Sequence, residues 1–237
     1  MRPIGFSTGS IARGDFHAAL EALQSAGTEV VELSALRAWE LPALAAAAAA
    51  LDLAGFAHVS VHAPSSFEPQ AESRIVELLI CLADRGWPVV VHPDAIGPRS
   101  DALWRELGAL LMIENMDKRK PVGRSAAELD DLFERFPDAG LCFDIGHARQ
   151  YDPSMLETYR ILHTHGSRLR EVHVSEVSSS SKHTRLSYGA IHDFSEAAQW
   201  IPTHVPVVIE SPVAPDEIAN ELDRASQALP VAAGAAC

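Results

Sequence analysis

Short apolar segments with strand character alternate along the chain with longer segments whose apolar residues recur at helical spacing. The first pair is RPIGFSTG followed by GDFHAALEALQSAG, and the last is PVVIESP followed by PDEIANELDRASQAL. Eight such pairs fit into the first 230 residues. Near-continuous runs of Val, Ile and Leu are typical of parallel strands buried on both faces. The pattern predicts one α/β domain, a (β/α)8 TIM barrel over 1–230, and a C-terminal tail over 231–237.

This prediction also indicates where the active site lies, because the catalytic residues of a (β/α)8 barrel lie at the carboxyl ends of its strands. A doubly wound open sheet is the alternative fold for the same alternation, but it would spread these strand ends along a line. One polar segment, residues 175–194, interrupts the seventh pair. It is predicted to be a long loop at the mouth of the barrel.

Six consecutive strand segments end in an acid or a histidine. These segments are VSVHAP, PVVVHPD, LLMIENM, LCFDIGH, EVHVSE and VVIESP. Carboxylate and imidazole groups are costly to bury unless they are paired or bound to a metal. Because a barrel gathers its strand ends around one axis, we expect these side chains to point at one shared site.

The main predicted metal site comes from strands five to eight and consists of Glu114, Asp144, His173 and Glu210. Three carboxylates with one imidazole suit Mn, Mg, Fe, Co or Zn. His62 and His92 end strands three and four, and are expected to complete a second metal position with Glu114 as a bridging ligand. His147 and His183 are candidates for a further position. One to three divalent ions are therefore predicted.

Two expectations concern residues near these ligands. Gly146, in the DIGH segment, is expected to let the chain curl back so that His147 faces the centre. The remaining histidines, among them His58 and His165, are interpreted as ordinary surface or capping residues.

The charge of the chain bears on its partners. The formal net charge is −13, which argues against a broad surface for nucleic acid. Basic residues follow strand five at Lys118, Arg119, Lys120 and Arg124. They are interpreted as a solvated patch, with phosphate binding as the alternative.

The location of the protein is expected to be cytoplasmic. Three cysteines without a CxxC pair suit a reducing compartment. The chain shows no basic start followed by a long apolar stretch, and no stretch suited to a membrane span. The sequence is compatible with a homo-oligomer.

The ordered set HAP, VVHPD, IENM, DIGHA, HVSE and IESP resembles the strand ends of the xylose isomerase-like barrel superfamily. That superfamily includes sugar isomerases and epimerases, and nucleases of the endonuclease IV type. The resemblance covers nearly the whole chain. It implies that the main site matches the shared Glu-Asp-His-Glu metal site, and that the other histidines match those of the multi-metal nuclease branch. One departure is that Ser181, Lys182 and His183 stand where that branch has an Asp-x-His pair.

The leading functional expectation is a divalent-metal-dependent isomerase or epimerase of a small polyhydroxy carbonyl compound, such as a sugar or sugar phosphate. The metal would polarise the carbonyl, while Glu114 and Glu210 remove and return a proton through an enediolate. Two alternatives use the same barrel: a multi-metal phosphodiesterase of the endonuclease IV type, and an iron-dependent oxidative enzyme. Motifs for phosphate-cradling loops (GxxxxGK[ST], GxGxxG) or a nucleophile elbow (GxSxG) are absent from the sequence.

Overall fold

The protein was analysed as a computed structural model that describes residues 2–231. Its barrel strands are β1 (Ile4–Ser7), β2 (Val30–Ser34), β3 (His58–His62), β4 (Val89–Val91), β5 (Leu111–Glu114), β6 (Gly140–Asp144), β7 (Leu169–Val174) and β10 (Val207–Ile209). They are all parallel and close in the order β1-β10-β7-β6-β5-β4-β3-β2. The predicted (β/α)8 barrel is confirmed. The predicted tail, 231–237, lies outside the described residues except for Val231.

Helices surround the barrel, and most of them connect one strand to the next. They are α1 (Thr8–Ile11), α2 (Phe16–Ser25), α3 (Leu41–Ala47), α4 (Glu72–Ala83), α5 (Asp101–Trp104), α6 (Ala126–Arg135), α7 (Ile145–Tyr151), α8 (Leu156–His165), α9 (Tyr188–Ala197) and α10 (Ile218–Ala228). Two of them, α1 and α7, follow β1 and β6 without a break and add a helical turn at the mouth. Within residues 2–231, no helix has the length and apolar character needed to cross a membrane.

Each strand divides its side chains between two environments. Val89 and Val91 of β4 belong to the large apolar core that also contains the buried faces of the helices. Val90, between them, belongs to a separate small cluster. Because successive side chains of a strand point to opposite faces, Val89 and Val91 face the helices and Val90 faces the barrel interior.

The interior of the barrel is apolar over only part of its circumference. Val90 packs there with Met112 and Cys142. The same alternation places buried polar residues on the inner face of the other strands, namely Glu32, Ser60, His62, Glu171 and His173. A barrel interior is ordinarily filled by branched apolar side chains. The polar interior therefore serves a purpose other than packing.

Residues 175–194 contain more regular structure than the predicted loop. A two-stranded antiparallel ribbon forms from β8 (Glu176–Val177) and β9 (His183–Thr184), and α9 begins at Tyr188. The expectation of a loop through this whole segment is wrong, because backbone pairing across the ribbon organises its polar residues. The ribbon holds His183 at the mouth of the barrel.

Candidate metal centre

Six of the eight ligands predicted from the sequence lie at or next to the carboxyl ends of barrel strands, and the other two lie in the segments that follow β6 and β7. His62, Glu114 and Asp144 are the last residues of β3, β5 and β6. His92 directly follows β4, and Glu210 directly follows β10. His173 is near the end of β7, His147 lies in α7, and His183 begins β9. The barrel therefore brings the eight residues to one end of the molecule.

Their side chains form three overlapping groups, in each of which the donor atoms lie within 4.8 Å of one another. The central group contains Glu114, Asp144, His173 and Glu210. The His92 group contains His62, His92 and Glu114. The His183 group contains Asp144, His147 and His183. Glu114 and Asp144 each belong to two groups, so the two carboxylates join all three into one cluster.

The central group has the unpartnered donor atoms that a metal site requires. Among residues 2–231, its members present four buried atoms without a hydrogen-bond partner: Glu114 Oε1, Asp144 Oδ2, His173 Nδ1 and Glu210 Oε2. An unpartnered buried polar group costs about 1–3 kcal/mol, and a charged one costs more. Three carboxylates and an imidazole form an oxygen-and-nitrogen donor set suited to a divalent cation.

The His92 group converges on the other oxygen of Glu114. Oε2 of Glu114 lies 3.1 Å from Nε2 of His92 and 3.2 Å from Nε2 of His62. The His62 Nδ1 lies 2.7 Å from the carbonyl oxygen of Ala63, and a carbonyl only accepts, so this nitrogen carries the proton. A neutral His62 ring would therefore turn its Nε2 lone pair toward Glu114. A cation or a second proton has to lie between the two groups.

His147 lies next to Oε1 of Glu114, the oxygen that His62 and His92 do not contact. Its Nδ1 lies 3.1 Å from Oε1 of Glu114, but it also lies 3.0 Å from the carbonyl oxygen of Asn115. The proton on Nδ1 is directed at that carbonyl, which explains why Oε1 has a close neighbour and yet no hydrogen bond. The ring of His147 also lies 5.3 Å from that of His183, between centroids.

Ser181, which stands where the nuclease branch has an acid, does not join the cluster in the structure. The Ser181 hydroxyl donates to Oδ1 of Asp117 at 2.5 Å and is not part of the His183 group. The carboxylate near His147 and His183 comes instead from Asp144. His183 Nδ1 is positioned by the Ser175 hydroxyl at 2.8 Å. An acid therefore accompanies the two histidines even though Ser181 replaces the expected one.

The explanation expected for Gly146 is wrong. Helix α7 begins at the preceding residue, and Asp144 caps it by accepting from the backbone N–H of His147 at 2.6 Å. Gly146 has no positive φ. A Cβ at this position would instead overlap the carbonyl oxygen of Ser175. Glycine is needed because α7 packs closely against the chain that follows β7, and this packing directs His147 toward the central group.

Neither a family model nor a curated protein matches the chain. Solved structures do match it. Endonuclease IV from Thermus thermophilus is 21% identical, with a TM-score of 0.62, over 94% of this chain and 97% of that one. The apo form of 3-keto-D-glucoside 4-epimerase from E. coli is 15% identical, with a TM-score of 0.59, over 96% and 99%.

A xylose isomerase-like TIM barrel protein from Mycobacterium smegmatis, solved in complex with magnesium, is 14% identical with a TM-score of 0.59. The match covers 97% of this chain and 98% of that one. The chain therefore shares the (β/α)8 barrel fold of these solved structures. The expected resemblance is thereby confirmed for the fold. Identity this low does not transfer a reaction, since one of these neighbours is a nuclease and another an epimerase.

The carboxylates of the cluster raise the pKa values of two neighbouring histidines. Burial disfavours the charged form of His62, but Glu32 and Glu114 outweigh burial and raise its pKa to about 9. Asp144 and Glu114 likewise overcome the effect of burial on His147 and raise its pKa to about 10. The cluster thus requires positive charge at its centre, and a divalent cation would supply the same compensation.

A second polar layer lies beneath the predicted ligands, and the sequence interpretation missed it. Glu171, in the middle of β7, is fully buried and lies 2.6 Å from His58 and 3.1 Å from His173. The interpretation of His58 as an ordinary surface or capping residue is wrong, because it pairs with a buried acid. His165 is also buried, where its ring donates to the carbonyl of Ala126. The sequence did carry a signal for this pair. In the EVH segment Glu171 and His173 are two residues apart, and residues two apart on a strand share a face.

A cavity of about 400 Å³ opens above the cluster. Its lining includes His62, His92, His183 and Glu210, together with the basic residues Arg13 and Lys182. The three lysines of the chain, Lys118, Lys120 and Lys182, all lie in segments that follow β5 or β7, at this end of the barrel. An acidic protein therefore concentrates its lysines around the mouth that holds the cluster.

One of these lysines directly contacts the cluster. Lys120 Nζ lies 2.8 Å from Asp94 Oδ2 and 3.5 Å from His92 Nδ1. Arg124, by contrast, pairs with Glu128 at the start of α6. The residues predicted to form one basic patch thus differ in environment, because Lys120 contacts His92 and Asp94 whereas Arg124 pairs with Glu128.

Proposed function

We propose that the protein is a metal-dependent phosphoester hydrolase that acts on a small anionic substrate. The overlap of the three donor groups carries the proposal, since Glu114 belongs to the central and His92 groups and Asp144 to the central and His183 groups. Shared carboxylates are suited to holding metal ions a few ångströms apart, as in two-metal phosphatases and nucleases. A reaction at the central group alone would leave the four other histidines without a role.

The residues of the chain have distinct tasks in this proposal. Divalent ions bound by the cluster would supply Lewis-acid activation of water and of the phosphoryl group. Glu114 and Asp144 hold the three donor groups in register, and the Ala63 carbonyl orients the ring of His62. Lys182, on the cavity wall, attracts the anion and screens its charge.

The size of the cavity supports a small substrate. At about 400 Å³, it falls within the range of about 300–1,000 Å³ that is usual for small-molecule sites. A net charge of −13 opposes a long polyanion over the rest of the surface. The substrate we propose is therefore a small phosphoester, with duplex nucleic acid as the disfavoured class.

The leading expectation from the sequence, an isomerase or epimerase, is the second candidate function, and one observation favours it. Against the effect of burial, His92 and His147 hold the pKa of Glu114 well below its usual value. Burial, assisted by Asp144, raises the pKa of Glu210 well above its usual value. Both acids belong to the central group, so they face one shared position, and two carboxylates with opposed pKa values are the pattern of a pair that passes a proton.

Metal content and substrate assays on one preparation test the proposal. The protein is loaded with Zn²⁺, Mn²⁺ or Mg²⁺, its metal content is measured, and it is assayed with mono- and bis(p-nitrophenyl) phosphate. We expect more than one ion per chain and cleavage of at least one of these esters. The His92→Asn variant should lose about 10- to 100-fold of that activity or more, because it removes a donor outside the central group.

The matched control is His17→Asn, an exposed histidine on α2, which should keep full activity. Hydrolysis that survives unchanged in His92→Asn would contradict the proposal. One ion per chain, with solvent deuterium entering an aldose or ketose and no ester cleavage, would establish the second candidate instead.

A further inference from the structure

We propose that Glu171 is a positioning residue that holds the ring of His173 with Nε2 protonated and Nδ1 directed at the central group. The inference rests on His173 being a metal donor, as in the proposed function, but not on which reaction the metal serves. Nothing in the sequence pattern marks Glu171 as a ligand, since it lies in mid-strand, below the strand end.

The two nitrogens of His173 face different partners. Nε2 lies 3.1 Å from Oε1 of Glu171 and hydrogen-bonds with it. Nδ1 lies 3.5 Å from Oε1 of Glu210 and has no hydrogen-bond partner within residues 2–231. A carboxylate accepts, so the bond to Glu171 requires the proton on Nε2 and leaves the Nδ1 lone pair for a metal ion. A carboxylate behind a ligand histidine usually sets its orientation and basicity in this way.

A second histidine anchors Glu171 from below. His58 Nε2 lies 2.6 Å from Oε2 of Glu171, at the amino end of β3. His58, Glu171 and His173 therefore form a chain of contacts along the barrel interior, from its amino end up to the donor cluster. Burying a carboxylate is costly unless it is paired on both sides. An apolar residue would suffice for packing here, so we assign this network to orienting His173.

Glu32 is the competing acid, because its Oε2 lies 3.2 Å from the same nitrogen of His173. Oε2 of Glu32 nevertheless makes no hydrogen bond to any residue from 2 to 231. Its other oxygen accepts from the Ser34 hydroxyl at 3.3 Å. One N–H donates one strong bond, and the geometry gives that bond to Glu171.

The test compares Glu171→Leu, Glu171→Gln and Glu32→Gln with the wild-type protein. Zn²⁺ affinity is measured by competition with a chelating dye, and histidine ring ¹⁵N spectra of the zinc-loaded protein report the protonated nitrogen of His173. We expect a wild-type spectrum with the proton on Nε2. Glu171→Leu should weaken zinc binding about 10- to 100-fold. Glu171→Gln keeps an acceptor oxygen and should restore most of the affinity, and Glu32→Gln should have a smaller effect than Glu171→Leu.

Several results would overturn the proposal. These are a His173 ring protonated on Nδ1, wild-type zinc affinity in Glu171→Leu, or an equal loss in Glu32→Gln. The wild-type spectrum decides the matter even if Glu171→Leu does not fold. Because neither readout involves turnover, a failed search for hydrolysis would leave this result intact, and the two proposals are tested separately.

Discussion

Oε2 of Glu114 lies 3.1 Å from Nε2 of His92 at the floor of the barrel mouth. The opposite oxygen, Oε1, is a buried atom of the central group without a hydrogen bond within residues 2–231. One carboxylate therefore offers one oxygen to each of two neighbouring donor groups, the arrangement expected of a bridging ligand.

Substitution of this bridging residue should affect two metal positions together. In Glu114→Gln the side chain keeps its shape but loses the charge shared by the central and His92 groups. We expect bound metal to fall by more than one equivalent per chain, as measured by elemental analysis after dialysis. His92→Asn should lose one equivalent at most, and the exposed Glu106→Gln should lose none. Loss of the same amount in the first two variants would refute a bridging role.

Lys182 should contribute to recognition of the anion. It is exposed and lines the cavity, so Lys182→Met should raise KM for an anionic ester about 1.5- to 5-fold with little change in kcat. This magnitude corresponds to about 0.2–1 kcal/mol for an exposed charge pair. The effect should shrink as salt concentration rises. Arg74→Met, on the outer helix α4, is the control, and an equal change there would show a nonspecific charge effect.

Gly146 and Gly166 provide a matched pair of glycine-to-alanine substitutions. Gly146→Ala would force a methyl group onto the Ser175 carbonyl, which should cost about 1–3 kcal/mol of unfolding free energy. It should also weaken metal binding, since it displaces the helix that carries His147. Gly166 has φ −58 and no atom within 4 Å of the added methyl group.

Gly166→Ala should therefore be neutral or stabilise the protein by about 0.4–1 kcal/mol. Urea unfolding of both variants, with and without Zn²⁺, measures these changes. Equal stability of the two variants would disprove the steric explanation for Gly146.

Glu72 should make the stability of the protein depend on pH. Its carboxylate accepts from Ser100 at 2.5 Å, from Trp104 at 2.8 Å and from the Gly97 N–H at 2.7 Å. Burial opposes ionisation, but these bonds outweigh it and lower the pKa of Glu72. A lowered folded-state pKa stabilises the protein above the unfolded-state value of about 4.3. This contribution is lost as the pH falls through the folded-state value.

Glu72→Gln should accordingly cost about 1.5–3 kcal/mol at pH 7, the range for hydrogen bonds to a charged group. The difference from wild type should shrink below about pH 4. Glu77→Gln, on the exposed face of the same helix, is the control and should change little at either pH. A Glu72→Gln penalty that stays constant from about pH 7 to about pH 3.5 would contradict this account.

The fold was predictable because parallel barrel strands carry a strong local signal. Continuous apolar runs such as those that precede His92 and Glu114 can be recognised without knowledge of the tertiary structure. The boundaries of helices were less predictable. The Ala-rich segment that follows β2 has high helix propensity, yet α3 covers only Leu41–Ala47. Tertiary packing overrides propensity in such segments.

The candidate ligands could also be picked out from local signals, since six of the eight stand at or next to the end of a barrel strand. Glu171 was not found because it lies in mid-strand, away from the strand ends where ligands were expected, although its spacing places it on the same face as His173. Its function depends on His58, which is more than a hundred residues earlier in the chain. Such a pairing depends on how the strands are arranged in the barrel, which no local pattern reports.

The sequence by itself determined a parallel barrel and the set of acids and histidines at its strand ends, because both follow from side-chain alternation and strand order. Only the tertiary structure decided how these donors are shared. Asp144 joins His147 and His183 where Ser181 lacks a carboxylate, because α7 packs against the segment after β7. Distances between side chains on different strands depend on barrel closure and helix packing, and these arise only when the whole chain is folded.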